Sequence, residues 1–186
     1  MIYMAVHVVL FEPEIPQNTG NILRTCVATH TRAHIIKPVG FDLTPETLKR
    51  SASNHLDMAE YTLYENFEDF ESRNPGTYFY MTRYGKKPHS SFDFASVPGD
   101  IYLIFGKEST GIPYERLREN LDRCFRIPMA GSCRSLNLSN AVAIALYEVM
   151  RQLDYPDLSM HEVQKGEDFL ESFDLRPLGR KDITNE

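Results

Sequence analysis

The sequence is short of cysteine, of long apolar runs and of positive charge, and each shortage closes off a class of protein. Three cysteines in 186 residues, Cys26, Cys124 and Cys133, leave one over in any disulfide pairing and form no CxxC. A disulfide scaffold and a structural zinc are therefore disfavoured, and a reducing cytoplasm is the expected home. The six histidines are scattered, and the closest pair, His30 and His34, straddles an expected helix end, so no metal site is expected. The longest apolar stretches, such as residues 141–147, fall far short of a membrane span, and residues 1–10 have neither a basic start nor a small-residue cleavage site. A soluble, unexported protein without a membrane partner is expected.

Basic residues number 20 against 26 acidic ones, a net charge of −6, which argues against holding nucleic acid by bulk charge and against DNA as a partner. The imbalance is local: residues 156–186 carry eight acidic and four basic side chains, so most of the excess lies there and basic patches remain open to the rest. This segment begins at Pro156, alternates poorly and is expected to be an acidic tail, extended or partly helical, behind one domain over residues 1–155. With 42% hydrophobic and 25% charged residues, that domain has a globular composition and enough length to bury a core. No internal repeat and no low-complexity tract is present.

Residues 3–11 are β-branched and apolar enough for a buried strand, and residues 18–29 read as a helix. Residues 34–39 repeat the strand signal and lead through Gly40 to a short helix opened by Thr44 and Pro45, cap and first helical position. Further helices are expected over residues 66–73, 113–120 and 137–153, and strands over residues 77–82 and 101–105. Alternating strands and helices give an α/β fold with a mainly parallel sheet flanked by helices. Residues 141–146 are apolar around the whole helical circumference, which fits either a face that meets another subunit or a helix enclosed within one chain.

Three segments carry the chemistry. Residues 12–24, EPEIPQNTGNILR, run from the first strand into the first helix, where Ile22, Leu23, Cys26 and Val27 make one stripe and Arg24 faces away from it. A helix start rich in Asn, Thr and Gly with an arginine one turn in suits a phosphate or ribose, although a capped helix with a solvated arginine would read the same. Residues 101–113, IYLIFGKESTGIP, are a buried strand ending in a loop with two glycines. Beyond the carboxyl end of a parallel strand a ligand can approach the backbone of Gly106, or the segment is a plain strand-to-helix turn. Neither GxGxxG nor GxxxxGK[ST] is present, so ordinary dinucleotide and P-loop readings lack support. Residues 126–140, RIPMAGSCRSLNLSN, hold more Ser and Asn than capping one helix requires, which suits a loop wrapped on a polar ligand.

Taken together, in order and spacing, IPQNTGNILR, IFGKESTG and RIPM followed by RSLNLSNA resemble the three signature motifs of the SPOUT class of methyltransferases. More narrowly, they resemble the small tRNA 2′-O-methyltransferases of the wobble nucleotide, position 34. The likeness spans residues 5–155; the longer tail departs from it. It implies a deep C-terminal trefoil knot, a homodimer, S-adenosylmethionine as cofactor and the tRNA anticodon stem-loop, of leucine tRNAs, as substrate. Carried over by motif, Gly106, Ile127 and Ser135 hold the cofactor and Glu108 organises its loop, while Met81, at the end of a strand outside the motifs, matches another cofactor-lining position. Arg24, Ser135 and Asn137 are catalytic, with Arg24 binding the phosphate and 2′-oxygen and stabilising negative charge.

RNA is expected to be gripped by Arg24 and by the densest basic stretch, Arg83, Lys86, Lys87 and His89, with Arg116, Arg118 and Arg134 as extensions. Competing readings are the same chemistry on another tRNA or rRNA ribose, a non-catalytic RNA-binding module, and, remotely, a nicotinamide oxidoreductase.

Overall fold

Val8 and Leu10 lie on one face of the first strand and Val9 and Phe11 on the other, and all four are buried. That is the pattern of a strand covered on both sides, which parallel sheets require. In the computed structural model, which describes residues 4–44, 46–48 and 59–172, this strand, β1 (Val6–Phe11), is an interior strand of a seven-stranded sheet, flanked on both sides by others. The others are β2 (Arg32–Ile36), β3 (Tyr61–Tyr64), β4 (Thr77–Met81), β5 (Lys87–Pro88), β6 (Ile101–Phe105) and β7 (Cys124–Arg126). The order is β3-β2-β1-β6-β4-β7-β5, and every pairing is parallel.

Two layers of helices cover the sheet. Helix α1 (Pro16–Ala28) buries Ile22, Leu23 and Cys26, and the long C-terminal helix α4 (Leu138–Gln152) buries Val142, Ala145, Leu146 and Val149, on the face that carries Val8, Leu10 and Leu103. Helix α2 (Phe67–Arg73) and helix α3 (Tyr114–Glu119) bury Phe67, Phe70 and Leu117 on the opposite face with Val9, Tyr80 and Ile104. The α/β architecture and parallel sheet are as the sequence predicts.

Several boundaries differ. Helix α1 starts at Pro16, two residues before the expected position, because proline occupies its first turn, where the missing N–H does no harm. The short strands β3, β5 and β7 have no counterpart in the sequence reading: two to four residues are too few to establish a period. Thr44 Oγ1 accepts from the Thr47 N–H at 3.2 Å, as a cap should, while Pro45 lies outside the described residues, as does Tyr3. Helix α4 is not enclosed within the chain: Ile144 and Tyr147 remain 39% and 45% exposed on its outer side.

The chain divides into two compact units, Met1–Pro156 and Asp157–Glu186. Within the second, the described part contains the one-turn helix α5 (Phe169–Ser172) and a contact of 2.6 Å between His161 Nδ1 and Glu167 Oε1. Among the described residues no helix is long and apolar enough to cross a membrane.

Candidate functional site

Adjacent parallel strands bring their carboxyl ends to one edge, so the loops that leave those ends become neighbours there. Register pairs Leu10 with Phe105, Phe105 with Met81 and Met81 with Phe125. Hence the loop at Glu12–Ile15, Gly106, Met81 and Ile127 succeed one another along the edge. Beyond them opens a cleft of about 690 Å³, walled by Met81, Ile127, Leu138 and Ala141 on its apolar side and by the 106–111 and 134–137 loops on its polar side.

Gly106 is dictated by close approach. A Cβ there would stand 2.2 Å from the Gly111 carbonyl carbon and 2.3 Å from the Ile112 nitrogen. The intervening loop folds back through a Gly111 N–H to Lys107 carbonyl bond of 2.9 Å, and Gly111 itself has φ +77°, a conformation that favours glycine. Both glycines of the second segment are thus used to turn one loop tightly at the floor of the cleft.

Hydrogen bonds tie the three sequence segments together. Glu108 Oε2 accepts from the Glu14 N–H at 2.8 Å, and its Oε1 accepts from Asn18 Nδ2 at 2.9 Å. Asn18 Oδ1 in turn accepts from Asn137 Nδ2 at 2.9 Å, and Asn137 Oδ1 caps α4 by accepting from the Ser139 N–H and hydroxyl at 2.9 and 2.7 Å. The polarity of this chain is self-consistent: a carboxylate only accepts, so Asn18 must turn its NH₂ to Glu108 and its carbonyl to Asn137, which leaves the Asn137 carbonyl for the helix cap.

Two further contacts brace the loops. Lys107 pairs with Glu12 at 2.7 Å, and Glu14 accepts from the Ser109 N–H and hydroxyl, both at 2.8 Å. The Ser109 bonds hold the Glu14 carboxyl below the usual carboxylate range, and the bond to Glu12 raises Lys107 above the usual ammonium range.

Of the residues singled out from the sequence, Met81, Gly106, Glu108, Ile127, Arg134, Ser135 and Asn137 all line this cleft. Arg24 does not. It is exposed on α1, facing away from the stripe of Ile22, Leu23 and Cys26. Lys86 and Lys87 are exposed outside the cleft, Lys87 in edge strand β5 with its ammonium 5.5 Å from the Phe92 ring centroid.

Arg116 is a correction to the expected basic surface. Its guanidinium lies 3.6 Å from the Phe67 ring centroid and pairs with Glu68 and Glu71 at 3.3 and 3.2 Å, so its charge is already matched. Asn18, which no pattern in the sequence singles out, is the hub that joins all three segments. A cleft of this size and mixed lining fits a nucleoside-sized ligand: flat apolar parts find Met81 and Ile127, and polar parts find loop backbone.

Known proteins agree with this geometry. Residues 5–147 match the model of the SpoU rRNA methylase family. A tRNA (cytidine(34)-2′-O)-methyltransferase of Escherichia coli K12 is 41% identical over 153 residues, which are 81% of this chain and 96% of that one. A solved structure described as giving structural insights into the 2-OH methylation of C/U34 on tRNA matches with a TM-score of 0.74 and 38% identity, over 82% of this chain and 92% of that chain. The AdoMet-bound rRNA methyltransferase from Sinorhizobium meliloti matches with a TM-score of 0.70 and 29% identity, over 80% of this chain and 57% of its own. With a family match across most of the domain and the matched segments meeting in one cleft, the chain belongs to the SpoU rRNA methylase family.

Proposed function

We propose that the protein transfers the methyl group of S-adenosylmethionine to the ribose 2′-oxygen of the wobble pyrimidine, position 34, in the tRNA anticodon loop, with leucine tRNAs as substrates. The observation that carries this reading is the cleft itself. Its walls are the three segments that resemble the signature motifs, held in one network through Asn18. The Escherichia coli relative's name and the solved structure on C/U34 methylation support the choice of nucleotide, and the AdoMet-bound relative supports the cofactor.

S-adenosylmethionine, when bound, supplies an electrophilic methyl on sulfonium sulfur. Gly106, Met81 and Ile127 would hold it along the strand ends, with Ser135 and the backbone of its loop on the open side. Glu108 acts as a positioning residue, and so does Asn137 in place of the catalytic role the resemblance implies, since their side chains are engaged with Glu14, Asn18 and Ser139. A ribose hydroxyl is a poor nucleophile, so negative charge growing on its oxygen must be stabilised. A guanidinium is a permanent cation with a forked donor set suited to phosphate and oxyanion, which fits Arg24 to that role rather than to that of a base.

Arg24 lies outside its own chain's cleft, so this reading needs a second copy. The homodimer is supported by the exposed Ile144 and Tyr147 on α4, the helix that packs against α1. A trefoil knot is supported by the insertion of β7 between β4 and β5, both of which precede it in sequence.

Incubation with labelled S-adenosylmethionine and tRNA that lacks the wobble methyl, followed by nucleoside mapping, tests the reaction. A 2′-O-methyl pyrimidine at position 34 is expected, and methyl transfer at another ribose would keep the chemistry while overturning the target. Mixing Arg24→Ala with Ser135→Ala protein tests the shared site: activity regained in the mixture supports it, and two inert parents that stay inert when mixed refute it.

A further inference from the structure

At the mouth of the cleft two tyrosines from separate loops meet. Tyr84 lies just after β4 and Tyr114 opens α3, and their hydroxyls are 3.2 Å apart with ring centroids at 5.6 Å and planes at 82°. Arg83 donates to the Tyr84 hydroxyl at 2.7 Å, and its guanidinium carbon lies 4.8 Å from the Tyr84 ring centroid. All three line the cleft, yet Tyr84 and Tyr114 are 52% and 62% exposed, so more than half of each residue stays open. Two large rings held in fixed relation at a surface give up little further conformational freedom on binding, a property of aromatic recognition sites. One side of Tyr84 is covered by Arg83, so Tyr114 has the freer ring.

We propose that Tyr114, braced by Tyr84 and Arg83, is a stacking platform for a nucleobase of the substrate RNA at or beside the methylated nucleotide. The inference rests on the reading of the cleft as a site of RNA ribose methylation and names a contact within it. Single-stranded RNA loops expose unstacked bases, and proteins hold them on aromatic faces and guanidinium planes. Every base has a π-face, so this platform accepts cytidine and uridine alike and adds affinity without selecting between them. The cation beside it also suits the phosphates that flank such a base.

The test compares wild type with Tyr114→Leu and Tyr114→Phe for binding of an RNA anticodon stem-loop and, separately, of S-adenosylhomocysteine. Neither change touches a core residue. Leucine should weaken RNA binding by about 10-fold or more, the effect of removing one base-aromatic stack, while phenylalanine keeps nearly all of it and cofactor-product binding is unchanged in both. A stem-loop abasic at position 34 or at a neighbour should remove the leucine penalty at the one position that stacks. Leucine protein that binds the stem-loop like wild type overturns the proposal, as does an equal loss of S-adenosylhomocysteine binding, which would make the ring part of the cofactor wall. Stem-loop binding that depends on Tyr114 without any methyl transfer would uphold the platform and overturn the reaction.

Discussion

Asn18 offers the sharpest case of a side chain whose role depends on three others. It is buried, and removing its amide takes a donor from Glu108 Oε1 on one side and an acceptor from Asn137 Nδ2 on the other. Glu108 is half-buried and keeps the Glu14 N–H, and Asn137 is exposed, so water replaces part of the loss and the cost falls near the low end of about 1–3 kcal/mol. Asn18→Ala should therefore leave the domain folded but loosen the 106–111 loop and the start of α4 together, weakening S-adenosylmethionine binding by about 5- to 10-fold, read by calorimetry. Equal affinity in the variant would show that the loops hold their shape through the Lys107–Glu12 and Glu14–Ser109 contacts alone. The sequence contains this residue within its first segment but gives no sign of its direction. Its placement depends on where α1 begins, and Pro16 at the first helical position is the signal available for that. Arg116 is misplaced by sequence reading for a related reason: Glu68 and Glu71 are more than forty residues away along the chain, and no local pattern pairs them.

At the level of elements, the loop from Gly106 to Ile112 has the least room to change. Gly106→Ala would drive a methyl carbon into the backbone of Gly111 and Ile112, neither of which can step aside as a flexible side chain could. The loop must shift outward into the cleft. Expected outcomes are an abolished cofactor site and a modest loss in thermal midpoint, measured by ligand titration and melting on one sample. Cofactor affinity kept at wild-type level would mean that the floor of the cleft is not where the ligand rests. Strand β5 presents a second element-level case. Lys86 and Lys87 are exposed together at the sheet edge, outside the cleft, where long-range attraction rather than shape is their useful property. Changing both to Gln should weaken tRNA binding and flatten its dependence on salt, by roughly the release of one to two counterions; an unchanged slope removes them from the interface. The long elements β1, β6, α1 and α4 are legible in the sequence because their periods run over several residues. Strands β3, β5 and β7 are not, because their identity comes from the neighbours they pair with, and β7 in particular is recognisable only once β4 stands beside it.

The whole molecule's response to acid is set far from the cleft, by a buried polar chain under the opposite face of the sheet. Asn74 Nδ2 donates to the Phe70 carbonyl at 2.7 Å, so its Oδ1 is left to accept from the Tyr64 hydroxyl at 3.3 Å. Tyr64 must then accept from His34 Nδ1 at 2.8 Å, and His34 Nε2 from His7 Nδ1 at 2.9 Å. This order makes His34 neutral, since its Nε2 accepts, and leaves His7 Nε2 without a hydrogen-bond partner among the described residues, 3.7 Å from Asp100. Burial, with the neighbouring His7, Arg32 and Arg73, pushes His34 down to about 3 from an ordinary 6.5, and burial likewise lowers His7 against the opposing pull of Asp100. Both folded-state values lie below the unfolded ones, so the unfolded chain takes up protons first as pH falls. The stabilisation is complete above pH 6.5 and drains away toward pH 3, at up to about 1.4 kcal/mol per pH unit for His34, or about 2 kcal/mol by pH 5. The thermal midpoint should thus fall steadily from pH 7 to pH 5, well above the range where the Glu14 carboxyl is protonated. A variant carrying His7→Asn and His34→Asn should melt lower at pH 7 but with a much flatter profile over this interval. A wild-type midpoint that holds level from pH 7 to pH 5 would mean that the two rings are hydrated or already charged in the folded protein.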